Sequence, residues 1–324
     1  MSKNNEVFVQ SVSDDRSTDD VIQWLYHLNN KIKITPIFDV HSIKKIDVKI
    51  SNKSKIEIDT EGVNLNSNSY FWYRRGKFNF DFANSKILNI NMYEDNIKPI
   101  LEFVNNGFSR NSINKFNDNF KEKLEMLQAS IDLGLNIPDA LITSDAIELN
   151  KFIKKYKKVI AKPISNPSHT VEFEKNKFSI GNQTKLLTVE DVNGNHFEFL
   201  PSFFQKYIEK KFEIRSFYLK GKFKSMAIFS QQNEKTKIDF RNYDYVRPNR
   251  CVPYYLPKSL EKKLHKLMLK LDINCGSFDL IFTPSGKYYF LEVNPIGQFQ
   301  WLSQNCNYYI ERMISENLIN TEYE

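Results

Sequence analysis

The chain has 324 residues, 41% hydrophobic and 14% aromatic, which is enough apolar material for two or three packed domains and excludes a disordered polymer. No run approaches the ~18 consecutive apolar residues that a membrane helix needs, and Met1-Ser2-Lys3-Asn4-Asn5-Glu6 lacks the apolar centre of a secretory signal, so a cytoplasmic protein is expected. The net charge of +7, from 46 basic and 39 acidic residues, is spread along the chain rather than gathered in one block, which argues against nucleic acid and for a smaller polyanion, a nucleoside triphosphate or an acidic peptide.

Residues 6–12, EVFVQSV, read as an apolar strand. Ser17-Thr18-Asp19-Asp20 then caps a helix on which Val21, Ile22, Trp24, Leu25 and Leu28 recur at helical spacing. Strand-like runs follow at 33–38, 46–50 and 55–59, and then the aromatic segment Tyr70-Phe71-Trp72-Tyr73-Arg74-Arg75-Gly76. Together they predict a small α/β domain over 1–112, closed by a helix at 94–105 and a polar linker at 106–112.

A helix is predicted over 119–133, where Leu124, Leu127, Ala129 and Ile131 interleave with charged residues and Gly134 ends the run. Asn136-Ile137-Pro138 breaks the chain before a strand at 140–143, a helix at 144–156 and a strand at 159–163, giving a central α/β lobe over 113–200. Apolar runs at 185–189 and 197–204 precede an extended segment, 205–219. Gly221 turns that segment back into 222–230, and 259–271 is an amphipathic helix striped by Leu260, Leu264, Leu267, Met268 and Leu271. These belong to a carboxy-terminal lobe, 201–324. Cys251, Cys275 and Cys306 have no metal-site spacing and read as free thiols.

The most informative stretch is 276–295. Asp279 sits among Phe278, Leu280 and Ile281; the turn Thr283-Pro284-Ser285-Gly286-Lys287 returns the chain; and Glu292 and Asn294 share one face of the next strand because side chains alternate. Two carboxylates and an amide oxygen suit magnesium, which keeps waters and phosphate oxygens in its other positions. Upstream, Lys162 ends a buried strand where an ammonium can reach a phosphate. Gln205-Lys206-Tyr207-Ile208 offers backbone groups to an adenine edge, Glu209 or Glu213 can meet ribose hydroxyls, and Arg215 lies on the same strand face as Glu213.

In order, Lys123 with Gly134-Leu135-Asn136-Ile137-Pro138, then Ala161-Lys162-Pro163, Phe204-Gln205-Lys206-Tyr207-Ile208, Glu213-Ile214-Arg215, Phe278-Asp279-Leu280 and Leu291-Glu292-Val293-Asn294-Pro295 resemble the landmarks of the ATP-grasp superfamily over about residues 115–300. Within it the chain is similar to the graspetide maturases of microviridin-type systems, and most to the grasp-with-spasm subgroup. That similarity rests on Trp72-Tyr73-Arg74-Arg75, Glu213-Ile214-Arg215, the segment 238–243 and Asn294-Pro295-Ile296-Gly297-Gln298-Phe299. The resemblance implies an α/β ATP-grasp fold behind an amino-terminal pre-ATP-grasp domain, ATP and Mg2+ as cofactors, a precursor peptide with leader and core as partner, and a homodimer. It implies that a side-chain carboxylate of the peptide is phosphorylated by ATP and then attacked by a Ser or Thr hydroxyl or a Lys amine, closing an ω-ester or ω-amide ring.

By the same resemblance Lys123 and Lys162 hold ATP phosphates. Gln205, Tyr207 and Ile208 line the adenine pocket, Glu213 supports the ribose or substrate side, and Arg215 stabilises the moving charge. Asp279, Glu292 and Asn294 bind magnesium, and Arg241 grips the carboxylate of the core peptide. The chain departs from many members in the loop Ile164-Ser165-Asn166-Pro167-Ser168-His169-Thr170, which is not glycine-rich; Ser165, Ser168 and backbone donors are expected to cover the phosphates there. The leader is expected along the aromatic surface 186–204, with Phe197, Phe199, Phe203 and Phe204 exposed. Two other readings stay open, an amino-acid ligase that extends a protein or peptide carboxylate, and a non-catalytic nucleotide- or nucleic-acid-binding module.

Overall fold

The computed structural model describes residues 6–43, 47–49, 57–60, 63–66, 70–80, 90–106, 112–162, 164, 169–173, 176–180, 184–192 and 199–319. The amino-terminal part comprises β1 (Glu6–Ser11), α1 (Arg16–Leu28), β2 (Lys33–Phe38), β3 (Val40–Ile43), β4 (Asp47–Lys49), β5 (Glu57–Thr60), β6 (Val63–Asn66), β7 (Tyr70–Tyr73), β8 (Lys77–Phe80), α2 (Ile90–Asn106) and β9 (Ser112–Ile113). A 3-10 turn at Phe116–Phe120 leads into α3 (Lys123–Asp132), β10 (Ala140–Thr143), α4 (Ala146–Tyr156), β11 (Lys158–Lys162), β12 (His169–Phe173), β13 (Asn176–Ile180), β14 (Lys185–Thr188), α5 (Val189–Val192) and β15 (Ser202–Lys206). The remainder is β16 (Phe212–Leu219), β17 (Lys222–Phe229), β18 (Arg250–Tyr254), α6 (Lys258–Lys270), β19 (Cys275–Phe282), β20 (Tyr288–Asn294), α7 (Gln300–Cys306) and α8 (Ile310–Ile319).

Three sheets carry the architecture. The amino-terminal sheet is parallel, in the order β2-β1-β7-β9. The central sheet, β10-β15-β11-β14, and the carboxy-terminal sheet, β18-β17-β16-β19-β20, are antiparallel. β16 is buried along its whole length because both of its faces are covered. Phe212, Ile214 and Tyr218 join a core with Met126 and Leu127 of α3 and Leu264, Leu267 and Met268 of α6. The alternate residues Phe217 and Leu219 join a second core with Val7 and Val9 of β1, Val21 and Leu25 of α1, and Leu302, Ile310 and Ile314 of α7 and α8. Burying each such side chain stabilises the fold by roughly 1.5–3 kcal/mol.

The second core unites the ends of the chain, since the Ser315 hydroxyl donates to the Val21 carbonyl at 3.0 Å and the Arg312 guanidinium lies 5.7 Å from the centre of the Trp24 ring. α8, unassigned in the sequence, packs against α1 and β7 of the amino-terminal part, and α7, also unassigned, packs against β17 and β18, so the two helices share one core with both sheets.

Some expected boundaries shift for local reasons. The cap of α1 is Asp15, whose carboxylate accepts from the Ser17 amide at 3.0 Å, rather than the 17–20 run. The helix expected over 119–133 is divided, because Lys121 and Glu122 are extended and α3 starts at Lys123. It ends at Gly134, whose φ of +66° suits glycine. Phe203 and Phe204, expected on an exposed leader surface, are 2% and 4% exposed. They point to opposite sides of β15, one into the core under α3 and α6 and the other against Leu149, Ile153 and Val159. Phe197 and residues 107–111 of the expected linker lie outside the described residues. Among the described residues no helix is long and apolar enough to cross a membrane.

Candidate active site

The sheet register brings three charged residues into one row. Arg215 on β16 pairs with Asp279 on β19, which pairs with Glu292 on β20. The register slips just after Asp279, so that Leu280 faces Phe290 and Leu291 is the extra residue. Without that bulge the two carboxylates would not be directly opposite.

Like charges directly opposite on neighbouring strands repel. Here two cations compensate. Arg215 Nη1 donates to both Asp279 oxygens at 2.9 and 2.8 Å, and Lys123 Nζ, from the first turn of α3, lies 3.2 Å from Glu292 Oε2. Asn294 completes the cluster, its Nδ2 3.1 Å from Asp279 Oδ2 and 3.5 Å from Glu292 Oε1. The expected oxygen donors are thus brought together, but they are paired rather than bare. Burial and the neighbouring Glu292 push the Asp279 carboxyl upward against the pull of Arg215. Burial also raises Glu292, but Lys123 and Lys162 outweigh it and hold this carboxyl below its usual range.

This row forms one wall of a cleft between the central and carboxy-terminal sheets. Ile160, Gln205, Tyr207 and Ile208 face it from the central side, and Ile281 and Leu291 give it an apolar floor. Lys162, the last residue of β11, donates to Gln205 Oε1 at 3.2 Å, and burial depresses its ammonium to about 8 despite support from Glu292. Arg241 also lines the cleft, where Asp239 accepts from its Nε at 2.9 Å and its Nη2 at 2.6 Å. The Thr184 hydroxyl also donates to Asp239 at 2.9 Å. Burial would raise Asp239, but Arg241 holds it down at about 2.

All the expected site residues except Arg215 and Asn294 line this cleft; Arg215 bonds to the lining Asp279, and Asn294 to both lining carboxylates. Glu213 has less freedom than a ribose ligand needs, because Lys210 donates to its Oε1 at 2.6 Å and the Ser230 hydroxyl to its Oε2. Lys210, Thr184 and the apolar floor residues Ile281 and Leu291 were not singled out from sequence. Lys210 is one of several equivalent lysines in the run 206–211, and only the fold distinguishes the buried one. Ser165 and Ser168, expected to cover phosphates, lie outside the described residues, and only the backbone of His169 is described, at the start of β12.

No family model and no curated protein matches the sequence. Solved structures do. A RiPP-associated ATP-grasp ligase of Chryseobacterium gregarium, in complex with ADP and a leader and core peptide, aligns over 98% of this chain and 96% of its own, with a TM-score of 0.76 and 21% identity. The fold is that of the ATP-grasp ligases. Macrocyclase MdnC of Microcystis aeruginosa MRC, bound with precursor peptide MdnA, aligns over 97% of this chain and 99% of its own at a TM-score of 0.71 and 24% identity. The ATP-grasp ligase PsnB, complexed with minimal precursor, Mg and ADP, aligns over 97% of each chain at 0.68 and 14% identity.

The donor set fits magnesium in this fold. Asp279 and Glu292 supply hard carboxylate oxygens on adjacent strands, and Asn294 can present its Oδ1 to a cation by exchanging amide nitrogen and oxygen, a half-turn of its terminal torsion. The mutual repulsion of the two carboxylates is what a divalent cation relieves.

Proposed function

We propose that the chain is an ATP-dependent peptide ligase that activates Asp or Glu side chains of a ribosomally made precursor and joins them to Ser, Thr or Lys side chains as ω-ester or ω-amide rings. The observation that carries this reading is the Arg215–Asp279–Glu292 row, flanked by Lys123 and Lys162 at one end of a cleft with an apolar floor. Its fold is shared over nearly the whole chain with ligases solved with precursor peptides.

The division of labour follows from charge and position. Lys123 and Lys162 hold the phosphates, and Ile160, Gln205, Tyr207 and Ile208 enclose the base between β11 and the segment after β15. Glu213 keeps Lys210 in place on the adjoining wall, a supporting role for the ribose and substrate side. Asp279, Glu292 and Asn294 would hold magnesium, which when bound supplies charge neutralisation to the phosphates. Arg215 keeps Asp279 oriented and adds positive charge beside the moving phosphoryl group. Arg241 commits Nε and Nη2 to Asp239, which leaves Nη1 for a substrate carboxylate.

The γ-phosphoryl group passes to a carboxylate oxygen of the peptide, giving ADP and an acyl phosphate. Attack by a hydroxyl or amine expels phosphate and forms the ester or amide, so each ring removes the elements of one water from the peptide. We assign residues 1–112 to a pre-ATP-grasp domain, 113–200 to the central lobe and 201–324 to the catalytic lobe, and expect a cytoplasmic homodimer.

The test is ADP release and mass spectrometry with short peptides from neighbouring reading frames that carry Ser or Thr and Asp or Glu repeats. Peptide-dependent ADP release with loss of one water per ring supports the reading. Release dependent on a free amino acid, with no ring formed, replaces it by an amino-acid ligase.

A further inference from the structure

Arg74 follows β7 of the amino-terminal sheet and does not line the cleft, yet its guanidinium is 3% exposed and engaged at every nitrogen. Nε donates to Asp15 at 3.0 Å, Nη1 to the Ile296 and Gly297 carbonyls at 2.9 and 3.2 Å, and Nη2 to Gln298 Oε1 at 3.0 Å. One face of the group lies 5.3 Å from the centre of the Phe299 ring. Asp15 is itself fixed as the cap of α1. One arginine of the first sheet therefore holds the loop that joins β20 to α7.

The same loop touches the charged row. The Gln298 carbonyl accepts from Arg215 Nη2 at 3.2 Å, while Nη1 of that arginine holds Asp279. Gly297 keeps the approach open, since a Cβ there would lie 2.7 Å from Arg215 Nη2 and 3.0 Å from the Asn294 carbonyl. Gln298 is thus gripped by two arginines, its side chain by Arg74 and its carbonyl by Arg215.

We propose that Arg74 is a positioning residue for the cleft: it fixes the 296–298 loop so that the Gln298 carbonyl sets the plane of Arg215 against Asp279. The inference rests on the ligase reading, and extends it by making the amino-terminal domain part of the machinery for phosphoryl transfer. A burial-only role would cost stability when Arg74 is altered but leave turnover per folded molecule intact. Positioning instead lowers kcat and spares the binding of ATP.

The experiment compares wild type, Arg74→Lys, Gln298→Met, Arg215→Lys and the Arg74→Lys/Arg215→Lys pair, each normalised to folded protein. Gln298→Met cuts the Arg74 contact at an exposed side chain and keeps the fold testable if Arg74→Lys is poorly folded. Arg74→Lys and Gln298→Met should each lower kcat at least about tenfold with KM for ATP within about threefold, and Arg74→Lys should add little in the Arg215→Lys background. Unchanged kcat, or losses that multiply fully in the double variant, overturn the proposal.

A second readout separates this proposal from the function on which it rests. The 15N signal of the Arg215 side-chain Nε–H, identified by its absence in Arg215→Lys, should shift in Gln298→Met. If wild type turns over no peptide while that signal moves, the ligase reading fails and the mechanical link stands. If peptide is turned over and the signal stays fixed in Gln298→Met, the link fails.

Discussion

Replacing Glu292 by Gln keeps the shape of the side chain and removes one negative charge from the centre of the cleft. The fold should lose only modest stability, because the lost pairing with Lys123 and Lys162, which holds this carboxyl below its usual range, is partly offset by relief of the repulsion from Asp279 directly opposite. Function should not. Lys123 loses a counter-ion at 3.2 Å, and Lys162, whose pKa of about 8 reflects burial offset by Glu292, deprotonates more readily. A unit charge about 4 Å from its partner at an effective dielectric of about 20 amounts to about 4 kcal/mol. At roughly 1.4 kcal/mol per decade this is about a thousandfold in rate. ADP release at saturating ATP and peptide should therefore fall by about three orders of magnitude, while Tm falls by no more than about 3 °C, the equivalent of roughly 2 kcal/mol for a chain of this length. A well-folded variant that keeps more than about a tenth of wild-type turnover would refute the assignment of Glu292 to the charge-handling row.

Further outcomes follow from other residues. Burial lowers the Lys162 ammonium to about 8, so kcat/KM for ATP should decline as pH rises through that value and Lys162→Arg should shift the decline to higher pH. Because the unfolded chain retains this proton up to its ordinary value of 10.5, the Lys162 contribution makes stability rise between about 8 and 10.5; denaturant melts that fall through this window in wild type relative to Lys162→Met would contradict the shift. Asp118 is buried at 2% exposure and its carboxyl is raised from 3.8 to about 6, so its ionisation destabilises the fold as pH rises from about 4 to 6. Asp118→Asn should then be more stable than wild type at pH 7, by on the order of 3 kcal/mol, with the gain shrinking toward pH 4 in chemical denaturation. Gly297→Ala sets a Cβ against Arg215 Nη2 and should lower turnover by about tenfold or more, with ATP affinity measured by calorimetry little changed.

Much of the site could be read along the chain because its residues lie on strands with strict alternation. Glu292 and Asn294 fall on one face for that reason, as do Glu213 and Arg215, and the 283–287 turn folds Asp279 back to Glu292. The turn forms as its residues require, Gly286 taking a φ of +78° and the Thr283 amide donating to the Lys287 carbonyl. The exposure of Phe203 and Phe204 was misjudged because an apolar run states that side chains want burial without stating where the covering layer comes from. The layers that cover them, α3 with α6 and then α4, are set by sheet order.

The sequence alone determined the local elements, the donor types and the order in which lysine, arginine and carboxylate appear, because periodicity and side-chain chemistry are properties of short segments. The tertiary structure decided which charges neutralise which. The bulge after Asp279 makes two carboxylates direct neighbours, Lys123 arrives from a helix far earlier in the chain, and Arg74 reaches from another sheet to the loop whose Gln298 carbonyl holds Arg215. The pairings of Lys123 with Glu292 and of Arg74 with Gln298 join segments far apart in the chain, and the distances between them exist only once the shared cores have closed.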